Sequence, residues 1–217
     1  MKIKDLFVLY EDFFAKYPTS KKSFSESGMV NNFAKLDFGF FPLGSGILSA
    51  NSTIDTAEIT DCKIMVLGND FGTINYVEND CPNNQEKKTN PTIRNLFKLE
   101  LNKDTTFFTN LYLGLRKEGK NIDPKTVKAE YKSLSFAFFK IQLDFINPEI
   151  VLCLGKEVRE SLSEISTIFS NPAQEEKSII TNDDFFGKRK FIFIPHPSMA
   201  HFNWKGEVIN EIKASLF

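Results

Sequence analysis

The chain's two histidines and its one tryptophan fall within a single stretch, FIFIPHPSMAHFNW, from Phe191 to Trp204. Four apolar residues there give way at once to Pro195-His196-Pro197-Ser198. Imidazole is the side chain whose ordinary pKa lies nearest neutrality, so it can donate or accept a proton under ordinary conditions. Flanking prolines restrict the backbone and hold such a ring at one angle. Three other apolar runs end in comparable groups. One passes into Gly68-Asn69-Asp70-Phe71-Gly72-Thr73, a second ends on Thr109-Asn110, and a third ends on Leu154-Gly155 before Lys156 and Glu157. A carboxylate can orient water or stabilise a cation, and a neutral imidazole can donate to a developing anion. A carboxamide offers one donor and one acceptor to a planar ligand.

Each of these residues also has a plainer reading. Asp70 after a strand serves equally well as a helix N-cap or turn residue, and Asn110 as a turn former. Gly155 suits a tight turn into a helix, and His196 a hydrogen bond within its own loop. Met199 and Phe202 read as loop-packing residues, and the basic run GKRK, Gly187 to Lys190, as a solvated hairpin. The conjunction, one carboxylate, one amide, one imidazole and two glycine-containing turns each following an apolar run, is what gives the set chemical meaning.

Those runs are KIMVLG (Lys63 to Gly68), TFFTNL (Thr106 to Leu111), EIVLCLG (Glu149 to Gly155) and KFIFIP (Lys190 to Pro195). Each is almost continuously apolar and does not alternate, the pattern of strands buried on both faces. Between them lie the helical stretches PTIRNLFKLEL, PKTVKAEYKSLSFAFFKIQLDFI and KEVRESLSEISTIF, and after them GEVINEIKASLF. Near the N-terminus, Ile3, Leu6, Phe7, Tyr10, Phe13, Phe14 and Tyr17 recur at helical spacing up to Pro18. TSKKSFSESGMVNNF then reads as a surface excursion and FPLGSGILSANS as a structured loop. The alternation predicts an α/β fold, a three-layer sandwich with a central, mainly parallel four-stranded sheet flanked by helices. In such sheets ligands bind outside the carboxyl ends of the strands, where the four groups above would meet.

Length and composition set the bounds. At 217 residues the chain fits one domain, residues 1–217, with enough length for a sizeable core. Its 27 Lys and Arg against 28 Asp and Glu give a net charge of -1, which excludes a domain built as a polycation while allowing a local basic groove. Three cysteines, Cys62, Cys81 and Cys153, cannot all pair and lack CxxC spacing, which points to a reducing compartment. With two neighbouring histidines they assemble no metal or iron–sulfur set. The N-terminus lacks a signal peptide's apolar core, and no run approaches 18 apolar residues. The reading is a cytoplasmic monomer with no membrane association.

Taken in order, VLGNDFGT, FFTNLYLGLR, INPEIVLCLG and IPHPSMAH resemble the motifs of the uracil-DNA glycosylase superfamily, at similar intervals. The likeness runs from about Lys63 to Phe202 and includes the helix NPTIRNLFKLE. The first and last motifs are fairly specific, while the middle two are common among α/β proteins. The resemblance implies a uracil-DNA glycosylase-like fold acting on DNA that carries uracil or a related deaminated base. Gly68-Asn69-Asp70-Phe71-Gly72-Thr73 stands where that family has Gly-Gln-Asp-Pro-Tyr-His. It implies that Asp70 activates water, that Asn110 reads the base edge, and that His196 hydrogen-bonds the departing base. Gly68, Asn69, Phe71 and Gly72 would line the base pocket. Ser198 would grip backbone phosphate beside Gly155, and Met199 to Phe202 would enter the duplex.

The chemistry is coherent with that set. Cleaving an N-glycosidic bond leaves a cationic sugar and an anionic base. A carboxylate near the sugar stabilises the one, and an imidazole N–H stabilises the other by ~3–4 kcal/mol. Asparagine can donate to uracil O4 and accept from N3–H, a pattern cytosine does not offer. The nucleotide must leave the stack at a cost of roughly a few kcal/mol, offset by phosphate contacts and an apolar wedge. No cofactor is required.

Departures from the family pattern qualify the expectation. Gly72 replaces the tyrosine that excludes the thymine methyl, so that filter is absent at this position. Phe71 replaces a proline and is a candidate to stack on the base, with Tyr76 as a rival. Three cysteines cannot supply the four-cysteine cluster of the iron–sulfur branches. The alternatives are a catalytically weak or inactive member that binds nucleic acid or a nucleotide, and a hydrolase of free nucleosides.

Overall fold

All four continuous apolar runs lie in one sheet of the computed structural model, which describes residues 2–16, 29–30, 39–48, 53–59, 62–75, 91–117, 127–170, 178–199, 204 and 206–217. The strands are β1 (Met29–Val30), β2 (Ile64–Gly68), β3 (Thr106–Asn110), β4 (Leu115–Arg116), β5 (Ile150–Leu154), β6 (Ser178–Asp183) and β7 (Gly187–Ile194). The helices are α1 (Ile3–Lys16), α2 (Pro91–Phe97), α3 (Ala129–Ile146), α4 (Lys156–Ser163) and α5 (Glu207–Leu216), with a short 3-10 turn at Thr167–Phe169. The main sheet has the order β3-β2-β5-β7-β6. β2 runs parallel to β3 and β5, and β5 parallel to β7, while β6 is antiparallel to β7.

The sheet therefore has five strands where the sequence reading expected four. The added strand, β6, lies at the edge and buries alternate residues, Ile179 and Thr181, leaving Ile180 exposed. A strand covered on one face carries no continuous apolar run, so the signal that exposed its neighbours is missing. A second departure lies in the segment read as a surface excursion. Its Met29 and Val30 pair with Arg116 and Leu115 in a small antiparallel ribbon, β1–β4.

Successive side chains of a strand face opposite ways, and here both faces are covered by helices. Met65, Leu67, Phe107, Val151, Cys153 and Phe191 face a core completed by α1, α3 and α4. Ile64, Val66, Phe108, Leu152, Leu154, Ile192 and Ile194 face a second core with α2, α5 and Trp204. The first is rich in aromatics: Phe7 lies 4.8 Å from Phe41, and Tyr10 meets Phe138 edge-on at 5.2 Å. Each fully buried large apolar side chain contributes about 1.5–3 kcal/mol relative to exposure, so the sheet is held from both sides.

GKRK, expected as a solvated hairpin, forms the start of β7 with Arg189 turned inward and only 8% exposed. Its guanidinium donates to Leu143 O at 3.1 Å and Asn147 Oδ1 at 3.0 Å, at the C-terminus of α3, where the helix dipole favours a cation. Burial lowers the Arg189 pKa.

The connection leaving β2 runs through α2 on one face, and the one leaving β5 runs through α4 on the other. Adjacent parallel strands whose connections diverge open a crevice between their carboxyl ends. Here the strands that meet this condition are β2, ending at Gly68, and β5, ending at Leu154. Among the described residues, no helix is long and apolar enough to cross a membrane.

Candidate active site

Asp70 sits on the loop leaving β2. Backbone bonds stitch that loop to the β3–β4 segment: Leu111 N–H to Gly68 O, Tyr112 N–H to Asn69 O and Arg116 N–H to Gly72 O, each at 2.9 Å. The Asp70 side chain is only 9% exposed, and its two oxygens differ. Oδ1 accepts from Gly72 N–H at 2.8 Å and from Arg116 Nε at 3.0 Å. Among the described residues, Oδ2 has only a long contact from Asn69 Nδ2 at 3.5 Å. One oxygen is thus clamped while the other keeps its lone pairs for a water or a cation.

Asn110 ends β3 directly opposite Gly68 in the parallel register and is 5% exposed. Its side chain lies over Gly68, where an added Cβ would overlap Asn110 Oδ1 and come within 3.2 Å of its Cγ. Glycine at 68 is therefore what lets the amide of Asn110 lie across the strand end. Gly68→Ala is expected to displace Asn110 and to cost about 1–3 kcal/mol through overpacking, read as a lower midpoint in thermal or denaturant unfolding. Beside it, Asn69 Oδ1 is buried, and no described residue hydrogen-bonds it. An acceptor left in that state costs about 1–3 kcal/mol, which marks the spot as one where a donor from ligand or water is favoured.

His196 follows β7. Ser198 N–H donates to its Nδ1 at 3.2 Å, and the Ser198 hydroxyl lies 2.7 Å from the same nitrogen. A ring nitrogen that accepts from a backbone N–H cannot carry the proton itself, so the neutral ring bears its hydrogen on Nε2. Burial lowers the His196 pKa, against the charges of Glu157 and Asp70, which raise it. The ring is accordingly neutral at pH 7, with Nε2–H as its donor. In this geometry the Ser198 hydroxyl proton is committed to the imidazole.

Two elements hold this loop in place. Gly155, at φ +88°, opens α4, and a Cβ there would stand 3.2 Å from His196 Cβ and 3.0 Å from Glu157 Oε2. The position requires glycine both for its conformation and for the close approach. From the other side of the sheet, the buried Asn95 of α2 donates to Pro197 O at 2.6 Å. The proline flank is thus anchored by a side chain 102 positions away.

The structure brings Gly68, Asn69, Asp70, Gly72 and Asn110 together on the β2–β3 side, and Gly155, His196 and Ser198 on the β5–β7 side. Phe71 is 5% exposed and packs with Leu43 and Leu115 in a small separate cluster. Met199 is 40% exposed on the turn closed by its N–H to His196 O at 3.0 Å. Tyr76, His201 and Phe202 lie outside the described residues. Sequence reasoning missed Arg116 and Asn95. Arg116 closes the quoted stretch FFTNLYLGLR, and Asn95 lies in the quoted helix, but neither has a neighbour in sequence that betrays its partner. In comparison with known proteins, no protein-family model matches the chain, and no curated protein matches it.

Proposed function

We propose that the protein is a monofunctional DNA glycosylase, hydrolysing the N-glycosidic bond of uracil or a related deaminated base in DNA to leave an abasic site. The observation that supports it best is the pairing of a neutral, Nε2–H imidazole with a carboxylate that has one oxygen clamped and one available. The two sit on one strand-end rim. In this reading His196 Nε2–H stabilises the anionic base, and Asp70 Oδ2 faces the cationic sugar and orders the attacking water. The Asn110 amide reads the base edge, with the buried Asn69 Oδ1 as a further acceptor for a base N–H. DNA is the partner, and the nucleotide enters the crevice flipped out of the stack.

One observation favours a second reading. Arg116 offsets part of the Asp70 charge, which weakens its effect on a cation and suits a module that binds a nucleotide or nucleic acid without cleaving it. The test uses protein from a host lacking its own uracil glycosylase. Single- and double-stranded oligonucleotides carrying one uracil are incubated with it and then heated in alkali to cut abasic sites. Cleavage is expected with wild type. No cleavage at uracil, hypoxanthine, xanthine or mismatched thymine, together with retained oligonucleotide binding, would replace the glycosylase reading with the binding module.

A further inference from the structure

We infer that Arg116 is the positioning residue of the site, fixing the rotamer of Asp70 so that Oδ1 faces the loop backbone and Oδ2 faces the crevice. In its catalytic consequence this rests on the glycosylase reading; in its geometry it does not.

Arg116 is held by more than its side chain. Its backbone pairs with Met29 across the β1–β4 ribbon and bridges to Thr73 on the other side. Its N–H donates to Gly72 O at 2.9 Å. Its side chain is 14% exposed and contacts Asp70 through Nε, 3.0 Å from Oδ1. A carboxylate on a loop can turn about its side-chain bonds and exchange the roles of its two oxygens. Two donors converging on one oxygen, Gly72 N–H and Arg116 Nε–H, remove that freedom. Both donors belong to segments tied to each other by the Arg116 N–H to Gly72 O bond and the Thr73–Arg116 bridge, which set their spacing. Guanidinium geometry matters here, because Nε lies along the side chain and points in one direction, whereas an ammonium group has no such fixed fork.

The test compares Arg116→Ala and Arg116→Lys with wild type in two measurements. The first is amide hydrogen exchange at Gly72, Leu111 and Tyr112. Arg116→Ala is expected to lower Gly72 protection about tenfold or more, as a hydrogen bond to a charged acceptor is lost. Leu111 and Tyr112, whose amides stitch the same loop without Asp70, are expected to keep theirs. Arg116→Lys is expected to restore Gly72 only in part. The second is single-turnover excision from uracil-containing DNA, expected to fall about 100-fold in Arg116→Ala with DNA affinity unchanged, the size of effect that small misplacements produce. Unchanged Gly72 protection would overturn the inference. So would equal loss at all three amides, which would make Arg116 a general brace of the loop. If Arg116→Ala does not fold, the same comparison is decided by Arg116→Lys. If wild type excises no base, the glycosylase reading falls while the exchange data still decide this one.

Discussion

Asp70→Asn is expected to lower the single-turnover rate of base excision by about a thousandfold, within the roughly 10²–10⁴ that a positioned acid–base group supplies. The substitution keeps the size of the side chain and an oxygen able to accept from Gly72 N–H. It removes the negative charge that would face the sugar cation. It also breaks the ion pair with Arg116, whose side chain is 14% exposed. Breaking a fully buried pair from one side costs about 3–5 kcal/mol, and the partial exposure of this one places its cost below that range. Lost activity could then reflect lost folding, and a second variant separates the two. Asp70→Asn combined with Arg116→Gln removes both charges and so leaves no charge in the pair uncompensated. The double variant is expected to melt closer to wild type than Asp70→Asn alone while remaining equally inactive. Recovery of excision in the double variant would show that Asp70 holds the loop and does no chemistry.

His196→Ala removes the donor assigned to the developing anion of the departing base and is expected to cost about 10²–10³ in rate. A pH profile tests the same assignment without mutation. Burial lowers the pKa of His196 from its ordinary 6.5, so the acid form predominates only below that value. Excision carried by the neutral ring is expected to level off as the pH rises above the lowered pKa and to show no fall through neutrality. Any loss due to His196 falls at lower pH. Protonating the ring would also break the Ser198 N–H bond to Nδ1, since that nitrogen would no longer accept. The sign for stability is the same. The unfolded chain takes up this proton at a higher pH than the folded one, so the contribution of His196 is complete above 6.5 and declines as the pH falls below it. A rate that falls on raising the pH through 6.5, and disappears as a trend in His196→Ala, would mean that the charged imidazole is the working form.

The parallel core was legible in the sequence because burial on both faces leaves an unmistakable composition. Lys63–Gly68, Thr106–Leu111, Glu149–Gly155 and Lys190–Pro195 each contain a strand of the sheet, although β7 begins earlier, at Gly187. The same rule hid β6, whose SIITND pattern alternates because only one of its faces is covered. His196, Asp70 and Asn110 could be found because strand ends in a parallel sheet are a place with a predictable address. Their partners could not. The link between Arg116 and Asp70 spans 46 positions and that between Asn95 and Pro197 spans 102, with no periodicity to announce either. Arg189 misled for a related reason. In GKRK a cation that enters the core to cap α3 looks no different from its solvated neighbours.

The strand order has a bearing on how the protein reaches this state. β2 meets β5 across the middle of the sheet, with Ile64 opposite Ile150 and Leu67 opposite Cys153. The residues of the rim sit on strands on both sides of that seam. Pairings between segments so far apart in the chain are slow to form, because the entropy of closing the intervening loop is lost before the contacts return it. α1, α3 and the β6–β7 hairpin can form early from local contacts, but Asp70 and His196 come onto one rim only after the seam closes. During refolding, the base excision proposed for this site is expected to return with the slowest structural phase, well after most of the helical signal has recovered.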